Sequence, residues 1–206
     1  MTPIYGAVNK KVFAAQARRG QQIVENIFNQ MRADLGEFYL WPDVTTNAFY
    51  EEFEKRLRVE PNNIIQGQYP YDPPFGGGRR YLLKNGMILL TSIYAYNDPV
   101  LTGKVLLIAF DTNGIEGPNR NGVDMFAMSF NKNPNNTELH PYGIFPAGYN
   151  YPSDDATLTS GCRDGGAHSW YFFPTGLGGN TCLVYLSRNN YKMDKNYPIK
   201  NFSKRR

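Results

Sequence analysis

The chain has 206 residues, of which only 19% are charged, whereas about a quarter of an ordinary soluble domain is charged. It carries 15 Tyr, 13 Phe, 20 Gly and 14 Pro. The abundance of aromatic residues argues against a disordered chain. Gly and Pro interrupt long periodic stretches, which argues against a helical bundle. The formal net charge of +4 is too small to predict nucleic-acid binding. The length fits a single domain, which we assign to 1–206.

The first part of the chain is predicted to be helical. Apolar residues at spacings of three and four predict a long helix over 7–38. Its second half is expected to pack on the domain, and its first half, which is poor in large apolar residues, is expected to project from it. Gly20 leaves open the alternative of two helices that meet there. A second helix is predicted over 45–59, with a Thr cap at its start and Pro61 after its end.

From residue 79 the hydrophobic period changes to two, which predicts an antiparallel sheet core over 79–130. Asn85 and Gly86 predict a hairpin with a tight primed turn, since both residues tolerate positive φ. The apolar run 104–110 is typical of a central strand. The remainder, 131–206, is predicted to be rich in irregular loops, with a frayed basic tail. Helices followed by antiparallel strands place the chain in the α+β class.

The linker after that central strand contains the most specific local pattern. Asp111 and Asn113, followed by Gly, begin like a calcium loop, in which oxygen atoms converge on a hard cation. It is not an EF-hand, because Ile115 and Gly122 stand where that motif needs oxygen ligands. Asp124 could close a different oxygen cage with Asp111 and Asn113, so calcium is the candidate cofactor. The alternative is a turn-rich loop in which Asp and Asn bond their own backbone.

Two cysteines, Cys162 and Cys182, enclose 19 residues. A disulfide between them would stabilise the fold by about 3 kcal/mol on the chain-entropy model. The alternatives are two buried thiols in a reducing compartment, or a cysteine hydrolase that uses Cys162 and His168. The sequence around His168 has no nucleophile or phosphate-binding signature, and we therefore predict that the chain is not an enzyme.

Four aromatic residues in the loop-rich region are candidate ligand contacts. Tyr142, Tyr149, Tyr151 and Trp170 lie close together in a polar stretch, where their rings could stack on a sugar. A secreted module that binds carbohydrate or another ligand is therefore the alternative function. The simpler interpretation is that these rings fill a core built from long loops.

Four segments resemble bacterial type IV pilin-like proteins, which include the pseudopilins of type II secretion. The run 107–128 resembles their strand–loop–strand block, Asp-x-Asn-Gly-x-x-Gly-Pro-Asn-x-x-Gly-x-Asp-x-Phe. The long first helix, with its polar Ala- and Gln-rich first half, is similar to the pilin stalk helix. Residues 81–87 resemble a strand of that family. Residues 182–193 resemble its closing cysteine segment, in which a short helix ends in a turn.

The resemblance implies a long helix packed on an antiparallel sheet, with a disulfide near the C-terminus. It implies a structural subunit of a type IV pilus-like or type II secretion filament, at the cell surface or in the periplasm. Its partners would be copies of itself or other pilin-like subunits, with no nucleic acid. The basic leader and apolar segment of about 20 residues that anchor pilins in the membrane are missing from this sequence, so we expect a form whose anchor has been removed. Major pseudopilins bind calcium near their strand loops, which would correspond to Asp111, Asn113 and Asp124 here.

Overall fold

The computed structural model describes residues 3–57, 79–97, 102–114, 122–135, 142–147, 162, 181–200 and 202. The α+β class is confirmed: a long N-terminal helix accompanies a five-stranded antiparallel sheet. In chain order the elements are α1 (Pro3–Leu35), a single 3-10 turn (Phe38–Leu40), α2 (Asn47–Leu57), β1 (Arg80–Leu82), β2 (Ile88–Asn97), β3 (Thr102–Asp111), β4 (Met125–Asn131), β5 (Gly143–Pro146) and α3 (Cys182–Arg188).

Helix α1 is continuous, so the alternative of two helices is wrong. It ends at Leu35, earlier than predicted, because Gly36 has a φ of +78° and its N–H bonds to the carbonyl of Arg32 at 3.0 Å. Trp41 Nε1 donates to the Gly36 carbonyl at 3.0 Å and holds the chain reversal that follows. Phe38, predicted as the last helical residue, instead begins the 3-10 turn. Among the helices that the structure describes, none is long and apolar enough to cross a membrane.

Gly20 is explained by the sheet beneath it. A Cβ at this position would overlap the ring of Phe110 on β3. Glycine inside a helix costs about 0.5–1 kcal/mol relative to alanine, but here it lets the helix backbone approach the sheet closely. The residue that suggested a helix break therefore marks the point where α1 and β3 meet.

The expectation that the first half of α1 projects from the domain is wrong for the stretch from Lys10 onward. Ala14 and Ala17 are buried, and Phe13 stacks on Phe202 with ring centroids 6.2 Å apart. Small alanine side chains bring the helix close to its neighbours, which a search for large apolar residues underrates. Phe202 lies in the tail that was expected to be frayed, and it packs on α1 instead.

Helix α2 lies within the predicted range 45–59. Thr46 caps it: the backbone N–H of Phe49 donates to Thr46 Oγ1 at 3.4 Å. Phe49, Phe53 and Leu57, four residues apart, are buried as the helical pattern predicts. Residues 58–60 lie outside the described part of the chain.

The sheet is a meander in the order β1-β2-β3-β4-β5, and every neighbouring pair is antiparallel. Strand β3 lies in the middle, which confirms the prediction of a central strand.

The prediction of a primed turn between β1 and β2 is wrong, because Asn85 does not have positive φ and Gly86 does, at +82°. The Gly86 N–H donates to the Leu83 carbonyl at 2.9 Å, and the Leu83 N–H donates to the Met87 carbonyl at 2.8 Å. This is a three-residue loop with a left-handed glycine at its end, which needs positive φ once rather than twice.

The region 131–206, predicted to be loop-rich, contains strand β5 and helix α3. In β5, Gly143 pairs with Asn131 and Pro146 pairs with Met128. A strand of four residues that begins with Gly and ends with Pro gives almost no alternating signal, so β5 is invisible in the sequence. Proline is tolerated here because β5 is an edge strand.

Helices α1 and α2 cover one face of the sheet with an aromatic core. Phe28 on α1 and Phe130 on β4 have ring centroids only 4.7 Å apart. The rings that surround this pair are Phe38, Trp41, Phe49 and Phe53. The other face is buried as well: Leu90, Ala109 and Ala127 are neighbours across three strands and are at most 7% exposed. Two buried polar residues of the sheet, Asp111 and Asn131, stand at the ends of β3 and β4.

Candidate functional site

The candidate cation residues meet where β3 ends and β4 begins. Asp111 closes β3, Asp124 immediately precedes β4, and both are fully buried. The backbone N–H of Thr112 donates to the Asp124 carbonyl at 2.8 Å, which holds the two chain ends side by side. The backbone N–H of Asn113 donates to Asp111 Oδ1 at 3.2 Å. The structure thus brings the three predicted residues to one corner of the sheet.

This corner has features of both interpretations. The Asn113–Asp111 bond is the side-chain-to-backbone contact that the turn interpretation predicts. Two buried carboxylates need compensation from donors or cations, and carboxylate and amide oxygens suit calcium. No group of three or more His, Cys, Asp and Glu side chains that could hold a metal occurs among the residues that the structure describes, and 115–121 lie outside them. Calcium binding therefore stays a prediction.

The disulfide between Cys162 and Cys182 is confirmed. Cys182 is the first residue of α3, and both cysteines are buried. Cys162 carries no free thiol in this state, so it cannot serve as the nucleophile of the hydrolase alternative while the bridge is intact. His168 lies outside the described residues.

The disulfide also contacts the far end of the β3–β4 loop. Gly122, with a φ of +74°, faces Cys182 so closely that a Cβ would overlap its sulfur and the side chain of Ile199. The hydroxyl of Tyr197 donates to the Gly122 carbonyl. The C-terminal segment therefore holds the end of the loop that carries the candidate cation residues.

Of the four candidate ligand-binding aromatics, the structure describes Tyr142. Its ring packs edge-on against Phe38 at 5.4 Å, and its hydroxyl accepts a hydrogen bond from the backbone N–H of Tyr39 at 3.4 Å. Tyr142 thus extends the aromatic core. Tyr149, Tyr151 and Trp170 lie outside the described residues.

A polar network that the sequence did not indicate joins α2 to the first strand. Arg79 Nη1 forms a salt bridge with Glu54 Oε1 at 2.7 Å, and Tyr81 Oη donates to the same oxygen at 2.8 Å. The Arg79 guanidinium lies 4.3 Å from the ring centroid of Tyr50. Thr91 accepts a bond from the Arg79 backbone N–H at 2.9 Å. Residues of α2, β1 and β2 meet here only through tertiary folding, which no local pattern reveals.

The electrostatics of this network favour a structural role. Burial, reinforced by the bond to Glu54, raises the pKa of Tyr81 above the usual tyrosine range. Burial likewise raises the pKa of Tyr50. Both phenols are protonated at neutral pH, whereas general acid–base catalysis works best with a pKa near the working pH. Tyr81 and Arg79 instead act as donors that fix the Glu54 carboxylate.

The chain matches no protein-family model, no curated protein and no solved structure in the comparisons made. The pilin-like interpretation therefore depends on the residues and the fold described above.

Proposed function

We propose that the chain is the globular domain of a pilin-like subunit of a type IV pilus-like or type II secretion filament. In its full-length form the subunit is anchored in a membrane, and it assembles with copies of itself or with other pilin-like subunits at the cell surface or in the periplasm. The observation that carries the proposal is α1, a helix of 33 residues laid across the antiparallel sheet. A helix that is much longer than is needed to cover the sheet can also contact neighbouring subunits.

Helix α1 offers a continuous face for such contacts. Exposed residues recur along it at spacings of three and four: Lys11, Ala15, Arg18, Gln22, Asn26 and Asn29. Val12, beside this stripe, is 46% exposed. Four of these six side chains are uncharged, which lowers the desolvation cost of packing helix against helix.

The Cys162–Cys182 disulfide supports the location. Disulfides persist in oxidising compartments such as the periplasm and the cell surface, and they are rare in the cytosol. An assembly function also requires no free nucleophile, and the thiol of Cys162 is consumed by the bridge.

Photo-crosslinking in the native cells tests assembly through α1. A photoreactive residue at Val12 is expected to give a ladder of products at multiples of the subunit mass. The control places it at Lys84, an exposed residue of the β1–β2 loop. Only monomer from the Val12 position, or identical products from both positions, would contradict assembly through α1.

The native gene provides a second, independent test of the anchor. We expect the codons upstream of the region that encodes α1 to specify a short basic leader and about 20 apolar residues. A gene without such a segment would overturn the pilin-like proposal, whatever the crosslinking result.

A further inference from the structure

The charge of this chain is divided between two regions. Residues 1–22 contain four Lys and Arg and no Asp or Glu, and residues 181–206 contain seven Lys and Arg with Asp194 as the single acid. These two segments together carry a net charge of +10. Residues 23–180 contain eleven cations and seventeen acids, a net charge of −6. The modest overall value of +4 conceals this separation.

The fold brings the two basic segments together. Lys10 lies 5.0 Å from the ring centroid of Phe202, and Arg18 lies 5.7 Å from that of Tyr191. The Tyr191 hydroxyl donates to Gln21 Oε1 and ties the C-terminal segment to α1. We name the resulting surface the basic pole, formed by Lys10, Lys11, Arg18, Arg19, Arg188, Lys192, Lys195 and Lys200. Lys204, Arg205 and Arg206 follow in the sequence and lie outside the described residues.

The cations of the basic pole face solvent. All of them are exposed except Lys10, which is half-buried. Among the described acids, Glu25 and Asp194 border the pole: Glu25 accepts a bond from Gln21, and Asp194 accepts one from the backbone N–H of Asn196.

We propose that the basic pole binds the anionic headgroups of a lipid bilayer. Clustered Lys and Arg near an anionic membrane each contribute about a fivefold gain in affinity. The orientation of the pole rests on the proposed function, because the first half of α1 is where a membrane anchor would join. The affinity rests on the charge separation alone.

The test is sedimentation of the 206-residue chain with lipid vesicles. Phosphatidylcholine vesicles with 30% phosphatidylglycerol are compared with pure phosphatidylcholine, at low salt and at 0.5 M salt. The variant K11Q/R19Q removes two exposed cations from the pole, and the control K55Q/K84Q removes two exposed cations from the acidic remainder. Both variants have the same net charge, so any difference between them reports position.

We expect binding to the anionic vesicles only, with loss at high salt. K11Q/R19Q should bind at least tenfold more weakly, and K55Q/K84Q should change less than twofold. No binding to anionic vesicles, or equal losses in the two variants, would overturn the proposal. A 20-base-pair DNA duplex is the competing polyanion, and tighter binding to it than to the vesicles would assign the pole to nucleic acid instead. The vesicle test uses this chain alone and does not depend on subunit assembly. The membrane proposal can therefore fail while the crosslinking and gene tests succeed, and the reverse also holds.

Discussion

Gly122 and Cys182 fit against each other so closely that a Cβ at position 122 would overlap the sulfur of Cys182 unless the neighbouring atoms shifted. The glycine belongs to the loop between the two central strands, and the cysteine belongs to the disulfide near the C-terminus. Tyr197 strengthens the same junction through its bond to the Gly122 carbonyl. Two regions that are 60 positions apart in the sequence therefore form one packing unit.

Replacing Gly122 with alanine is expected to lower the free energy of unfolding by about 2–4 kcal/mol. About 1–3 kcal/mol comes from overpacking against the sulfur, and about 1 kcal/mol from the positive φ. Gly86→Ala is the matched control, since Gly86 also has positive φ but a Cβ there meets no atom within 4 Å. Urea unfolding of both variants measures the difference. Equal losses would show that the contact with Cys182 contributes nothing.

Gly20→Ala should also destabilise the protein, by about 1–3 kcal/mol, because the new Cβ overlaps Phe110. The sign is diagnostic: in an exposed helix the same change stabilises by about 0.5–1 kcal/mol. Combining it with Phe110→Leu should recover part of the loss relative to the sum of the two single variants. Thermal unfolding measures all three, and a rise in Tm for Gly20→Ala alone would contradict the close approach of α1 to β3.

Helices α1 and α2, strands β1 to β4 and the disulfide were predictable because each leaves a local or compositional signal, whereas β5 leaves almost none. Asn85 and Gly86 predicted a hairpin but not its turn type. The turn type depends on the number of loop residues, which is set by how β1 and β2 pair. Gly20 looked like a break because the sequence cannot show that Phe110 lies under it. The same limit hid the Arg79–Glu54 network and the basic pole, since both join segments that are distant along the chain.

The disulfide is expected to be essential for full stability. Reduction, or the double change C162S/C182S, should lower the free energy of unfolding by about 3 kcal/mol. Intact mass confirms the bridge if reductant adds two daltons for two hydrogen atoms. C162S/C182S should no longer respond to reductant, which serves as the control. An untreated protein whose mass already corresponds to two thiols would contradict the oxidised state.

Stability should decline at high pH partly through Tyr191. Burial, assisted by the negative charge of Glu25, raises the pKa of Tyr191 to about 12. Between the usual tyrosine pKa of about 10 and this value, the unfolded chain loses the proton first, so stability falls as pH rises. Tyr191→Phe should flatten the decline in Tm from pH 10 to 12 while adding a pH-independent loss of the bond to Gln21. Tyr39→Phe removes a hydroxyl at an exposed position and serves as the control. Parallel curves of Tm against pH for the native chain and Tyr191→Phe would contradict the prediction.

Calcium should stabilise the native state if the β3–β4 corner is a cation site. A ligand that binds only the folded state adds about 2.7 kcal/mol when its free concentration is 100 times its Kd. Melting curves with excess calcium and with chelator are therefore expected to differ in Tm for the native chain. Asp124→Asn removes a buried carboxylate at the corner, and Asp194→Asn removes an exposed one elsewhere. The calcium-dependent shift within each variant decides the matter, because this difference cancels any general loss of stability. A calcium-dependent shift in Tm that Asp194→Asn keeps and Asp124→Asn loses would support the cation site. If the native chain shows no such shift, the turn formed by Asp111 and Asn113 explains this loop without a cation.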